Sequence, residues 1–365
     1  MTVAADEPSR ATAIDELDLD RLDPSRMLAT VEDSPKQWAD ALALARHAPA
    51  PEVDPSRTRA VIVAGMGGSG IAANVAAVAA RYSGRVPVIA AKDYGLVALA
   101  GRETLVVVVS YSGDTEESLA CLEAASAAGA PTFAVGSGGR LAERAEREGF
   151  PLVRIPGGGQ PRANLPYLVV PVLVALERAG LVSEVEAQLE EVPDHLASLM
   201  RDWHHERPPA ENLVKRLAID LKDLVPVFYG ASGWPSVAAQ RAKCQTNENA
   251  KRPAFWNELP ELDHNEVVGW YSLGDICRHF AVVEVRSRGD EDPRVARRFE
   301  VTREVIEGRV GLIRAVEVSG PNPIARFAAA VLFFDLLSVY LAFLGGEDPT
   351  PVAAITAVKE RLAGG

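Results

Sequence analysis

Four short hydroxyl side chains stand in two glycine-bearing turns: Ser69 in GMGGSG, and Ser110, Ser112 and Thr115 in SYSGDTEES. Each turn follows a run of Val, Ile and Ala and leads into a stretch of helical composition. In a parallel sheet such turns share one edge, where strand C-termini meet helix N-termini and ligands bind. Free backbone N–H groups and the positive end of a helix dipole favour a dianion there. Short hydroxyls supply further donors without the desolvation cost of burying an arginine. Gly68, Ser69, Ser110, Ser112 and Thr115 are therefore expected to surround one phosphate group.

The same stretch satisfies G-x-G-x-x-G at Gly65, Gly67 and Gly70, the fingerprint of dinucleotide-binding proteins. A lone match is weak in a chain with 29 glycines. The acid expected after the next strand is met only loosely, by Asp93 behind Lys92, and a dinucleotide has no need of the second turn. Each hydroxyl taken alone reads as a helix cap; the two turns jointly favour phosphate. Asp114 and Glu116 bring negative charge close by, which fits only if they cap the helix and point away.

The elements that must position these turns alternate along the chain. RAVIVAGMG, VPVIAAKD, TLVVVVS, PTFAVG and PLVRI read as strands, with helical segments between most of them. Continuous Val/Ile runs imply a parallel sheet covered on both faces, with right-handed crossovers. The alternation resumes at LVPVFYGASGWPSVAAQRAKCQTNENAK and continues through CRHFAVVEVRS, DPRVARRFEVTREVIEG, VGLIRAVEVSG and a long terminal helix. The expected fold is α/β, with two doubly wound parallel-sheet halves of flavodoxin-like three-layer form. The expected divisions are a disordered leader (1–15), a helical segment and linker (16–55), the first half (56–180), a helical connection (181–211) and the second half (212–365). Asp33 or Ser34 is the expected cap of the helix PKQWADALALA.

Bulk properties narrow the function. The chain has 365 residues, 48% of them hydrophobic, and a formal net charge of −12 without any Lys/Arg block. Nucleic-acid binding is therefore not expected. Cys121, Cys244 and Cys277 lie far apart, so reduced structural thiols are expected and a disulfide framework or zinc site is not. The acidic N-terminus has no signal-peptide core. The longest apolar run, residues 328–346, contains Asp335 and reads as a buried helix instead of a membrane span. A cytoplasmic protein is expected. His204 and His205 read as exposed.

GMGGSG followed by SYSGDTEES resembles the sugar isomerase (SIS) domain, which binds phosphosugars. Three further segments, GGGQPRANLPY (157–167), NENAKRPAFWNELPELDHNEVVGW (247–270) and the terminal DPTPVAAITAVKERL, resemble the bifunctional phosphoglucose/phosphomannose isomerases over about residues 20–365. That resemblance implies two SIS subdomains, a homodimer, and neither metal nor organic cofactor. It implies interconversion of glucose 6-phosphate or mannose 6-phosphate with fructose 6-phosphate through a cis-enediolate. Glu248 would be the base that moves the proton between C2 and C1. His264, sixteen residues later, would assist ring opening and reach the site of the neighbouring subunit. Arg162 would stabilise the enediolate oxygens, and Lys359 would assist ring opening or orient the sugar.

The chain departs from the family pattern at two places. Asn164, Leu165 and Pro166 replace small residues and glycine after QPR, and Asp114 stands where asparagine is common. These departures leave open a non-catalytic phosphosugar sensor, and the glycine fingerprint leaves open a nicotinamide oxidoreductase.

Overall fold

The computed structural model describes residues 14, 18–96, 98–287 and 291–363. Of the leader expected at 1–15, all but Ile14 lies outside them. The chain divides into two compact units: Ser34–Asp194, and the residues up to Asp33 together with those from His195 onward.

The first unit is built on five parallel strands: β1 (Ala60–Ala64), β2 (Val88–Ala91), β3 (Thr104–Val109), β4 (Thr132–Gly136) and β5 (Leu152–Arg154). Their order is β2-β1-β3-β4-β5. AVIVA and TLVVVV are buried at every residue, as unbroken β-branched runs require when helices cover both faces. Val61 pairs with Val88 on one side and Leu105 on the other, which places β1 inside the sheet. The chain winds outward in opposite directions from β1 and β3. Between their carboxyl ends lies the switch point, where doubly wound sheets hold ligands.

The second unit repeats the plan with four parallel strands: β6 (Val225–Ala231), β7 (Phe255–Leu259), β8 (Phe280–Arg286) and β9 (Leu312–Glu317). Their order is β7-β6-β8-β9. The fold is thus two doubly wound parallel α/β units, as expected. β7 is not among the strands expected from the sequence. It is an edge strand with Phe255 exposed and only Leu259 buried, so its composition carries little hydrophobic periodicity.

The expected cap at Asp33 or Ser34 is resolved differently. Asp33 closes the helix Met27–Glu32, and Ser34 is already the first residue of the next, Ser34–His47. The helix Pro323–Leu344 is long and apolar enough to cross a membrane; an eighteen-residue stretch of it has mean hydropathy 2.2, yet 94% of that stretch is buried inside the fold. Its Asp335 meets Arg241 at 2.6 Å from the helix Trp234–Asn249.

Candidate active site

The switch point of the first unit collects the hydroxyls. Gly67, Gly68 and Ser69 form the first turn of the helix Gly67–Ser83, whose N–H groups have no partner within the helix. Gly67 adopts φ +54°, a left-handed setting that glycine takes readily. Gly65 and Gly70 answer to packing. A Cβ on Gly65 would lie 2.9 Å from the carbonyl oxygens of Ser69 and Val109, and one on Gly70 would lie 2.8 Å from that of Gly65. The glycine spacing is therefore accounted for by a turn folded tightly against the end of β3.

Ser69 Oγ accepts the Tyr111 N–H at 3.3 Å, so the two turns meet directly. Ser110 Oγ accepts the Gly113 N–H at 3.1 Å and donates to Thr115 Oγ1 at 3.0 Å. Ser112 Oγ accepts the Asp114 N–H at 3.2 Å. Thr115 occupies the cap position of the helix Glu116–Ala127 but makes no capping bond with its side chain. Ser69, Ser112 and Thr115 thus each accept a hydrogen bond and, among the described residues, none of them donates one. Three unspent O–H donors beside two helix N-termini form a site suited to an oxyanion.

Asp114 points away from this cluster. Its Oδ1 accepts the Arg140 N–H at 3.0 Å and lies 3.4 Å from Arg140 Nε, at the start of the helix Gly139–Glu148. Arg140 also reaches the Asp114 carbonyl at 3.1 Å. Asp114 is therefore partnered by a guanidinium and a helix N-terminus.

Arg162 lies in a short 3-10 turn, Pro161–Ala163, and is only 4% exposed. Its guanidinium donates to Gln160 Oε1 at 3.0 Å. A Cβ on Gly68 would stand 3.3 Å from the Pro161 backbone, so glycine there lets the arginine turn lie against the Gly67 helix. The departures that follow are built into the turn. Asn164 Nδ2 donates to the Gln160 carbonyl at 2.8 Å, and Pro166 falls in the first turn of the helix Leu165–Arg178, where its missing N–H costs nothing.

Tyr111, which the sequence reading passed over, joins the parts. Its N–H holds Ser69, and its hydroxyl accepts the Gly159 N–H at 3.1 Å in the loop that leads to Arg162. Burial pushes the phenol above the ordinary tyrosine range, against a smaller opposing effect of the Gly159 bond. A tyrosine between two serines gave no signal of its own, since the partner is forty-eight residues away.

Glu248, His264 and Lys359 belong to the second unit. Glu248 is half-buried near the end of the helix Trp234–Asn249. One face of that helix carries Arg241, Gln245 and Asn249, each at a four-residue step. The first two bond Asp335 at 2.6 and 2.9 Å, and Asn249 bonds Ser338 at 2.9 Å. Asn247 donates to the Arg252 carbonyl at 2.7 Å. Both neighbours of Glu248 are thereby anchored, which fixes the direction its side chain leaves the helix.

His264 ends the 3-10 turn Glu261–His264 and is exposed. Its neighbour Asp263 is held by Arg298 at 2.8 Å and Thr302 at 2.7 Å. Glu266 takes the Tyr229 hydroxyl and the Asn257 amide, and Trp270 Nε1 donates to that same hydroxyl at 3.0 Å. The loop that presents the imidazole is thus pinned on both sides. Lys359 is exposed on the helix Ala353–Ala363.

A family model described as the bacterial phospho-glucose isomerase C-terminal SIS domain matches residues 210–362. The chain is 39% identical over 303 residues to the bifunctional phosphoglucose/phosphomannose isomerase of Caldicellulosiruptor bescii, covering 83% of this chain and 89% of that protein. It belongs to the bifunctional phosphoglucose/phosphomannose isomerase family. The Aquifex aeolicus member is 34% identical over 306 residues, 83% of this chain and 90% of its own. A solved structure of a glucose-6-phosphate isomerase like protein from Thermus thermophilus has the same fold, with TM-score 0.60 at 20% identity, covering 93% of this chain and 98% of that one. Within the phosphoglucose/phosphomannose isomerase family, this chain has the two-unit SIS architecture.

Proposed function

We propose that the chain is an aldose–ketose isomerase that interconverts glucose 6-phosphate or mannose 6-phosphate with fructose 6-phosphate. The observation that carries this reading is the cluster of three unspent hydroxyl donors, Ser69, Ser112 and Thr115, at the β1/β3 switch point beside the buried Arg162. Together with Gly68 and Ser110, they take the phosphate. Arg162 supplies a fixed cation for the enediolate oxygens. Glu248 moves the proton between C2 and C1, His264 assists ring opening, and Lys359 orients the sugar. General acid–base work of this kind contributes roughly a hundredfold or more.

The exposed His264 serves the site of a second copy in a homodimer, and the enzyme works in the cytoplasm. The anchored Asp114 and the ordered Asn164–Pro166 turn support catalysis over a sensor that only binds, because neither departure leaves a free charge or a broken loop at the site.

The test is turnover of mannose 6-phosphate and glucose 6-phosphate by the purified full-length chain, read by a coupled assay for fructose 6-phosphate. Turnover of either supports the proposal. Absence of turnover, with a melting shift on adding fructose 6-phosphate, replaces it with the sensor.

A further inference from the structure

His204 and His205, expected to be exposed, are half-buried and face Glu32. Glu32 ends the helix Met27–Glu32, and the two histidines follow a helix that ends at Trp203. His205 Nδ1 lies 2.9 Å from the Glu32 carboxylate, and the His205 backbone N–H donates to it at 2.8 Å. His204 Nε2 lies 3.6 Å from Glu32 Oε2. The imidazoles are tilted by 38° with centroids 4.3 Å apart. One ligand atom from each of the three residues lies within 4.8 Å of the other two.

Around a tetrahedral zinc ion, bonds of about 2.0–2.1 Å place neighbouring N/O ligands roughly 3.3–3.5 Å apart. The two Glu32–imidazole spacings, 2.9 and 3.6 Å, bracket that value, and all three donors lie within 4.8 Å of one another. The turn that presents them is held from behind. Asn212 Nδ2 donates to the Trp203 and His204 carbonyls at 3.0 and 3.2 Å, and Lys215 Nζ donates to the His205 carbonyl at 2.7 Å. Asn212 and Lys215 are both buried. His204 Nδ1 accepts the Glu206 N–H at 3.4 Å, with Glu206 Oε2 3.5 Å away, so the next residue but one holds the His204 ring by the nitrogen that does not face Glu32. A cavity of about 410 Å³ bordered by Leu19, His205, Glu206 and Lys215 opens beside His205.

From this arrangement we propose that Glu32, His204 and His205 form a binding site for one divalent transition-metal ion of the zinc type, fastening the helix Met27–Glu32 to the turn after Trp203. The donor set of two imidazoles and one carboxylate suits zinc or cobalt over calcium or magnesium. The site stands apart from the sugar chemistry and carries no step of it.

The experiment titrates Zn²⁺ into chelator-treated, tag-free, full-length protein by calorimetry, with Co²⁺ absorption as a second readout. One zinc per chain, a rise in melting temperature and tetrahedral cobalt bands are expected. His204→Gln leaves the Glu32–His205 hydrogen bond in place, and Glu32→Gln keeps an acceptor for it. Each is expected to fold and to weaken zinc binding about tenfold or more. His264→Gln is expected to leave zinc binding unchanged. No zinc binding by the wild type, or binding that is undiminished in both His204→Gln and Glu32→Gln, overturns the proposal.

Discussion

The Tyr111 hydroxyl accepts the Gly159 N–H at 3.1 Å, tying the hydroxyl-rich turn after β3 to the loop that delivers Arg162. Tyr111→Phe leaves that N–H without its partner, at a cost of about 1–3 kcal/mol if no water replaces it. Chemical unfolding is expected to show the loss. Activity is expected to fall, because Arg162 is less well placed. The linkage has a definite sign. A phenol whose folded pKa is raised contributes stability present below its unfolded pKa of roughly 10 and lost as pH rises through the folded one. The phenylalanine variant should therefore lose less stability than the wild type above that pH.

Asp114→Asn removes a negative charge that Arg140 now neutralises. Both side chains are more than half exposed, so the pair adds little to stability and melting should barely change. Freed of its partner, Arg140 adds net positive charge beside the turn. KM for a sugar phosphate is expected to fall at low ionic strength, and the difference should vanish as salt screens it. An unchanged KM at low salt would show that Asp114 and Arg140 lie too far from the phosphate to matter.

Glu248→Gln should retain sugar-phosphate binding while kcat drops by about a hundredfold or more. The same variant tests the origin of His264. Mixing Glu248→Gln subunits with His264→Gln subunits and allowing exchange should restore activity, since one site of each mixed dimer then has both groups intact. Two inactive parents that stay inactive after demonstrated exchange would place His264 in its own chain's site.

Asp335→Ala strips the buried Arg241 of its counter-ion and Gln245 of an acceptor. Breaking such a pair from one side costs about 3–5 kcal/mol. The double replacement Arg241→Met with Asp335→Leu should recover much of that stability, yet it removes two rungs of the ladder beside Glu248. Restored melting with lowered kcat would separate the two roles of the pair.

Much of this was readable in the residues themselves. AVIVA and TLVVVV announced the central strands because continuous β-branched runs have few other uses, and the two hydroxyl-bearing turns, read as sharing one sheet edge, do meet there. The rest depends on partners distant in the chain. The bond from Tyr111 to Gly159, the pairing of Asp114 with Arg140 and the ladder from Arg241 to Asp335 all join segments whose meeting is set by the wound sheet. Edge strand β7 escaped for a different reason: its exposed Phe255 and half-buried middle residues lack the alternation that marks a strand.

One carboxylate has a consequence beyond packing. The segment Pro323–Leu344 has the length and greasiness of a lipid-crossing peptide, and a charge at its middle raises the cost of entering a bilayer by about 2.5–3.5 kcal/mol. Asp335 therefore weighs against insertion while the chain is still unfolded, and meets its guanidinium only once the segment has packed against the helix Trp234–Asn249.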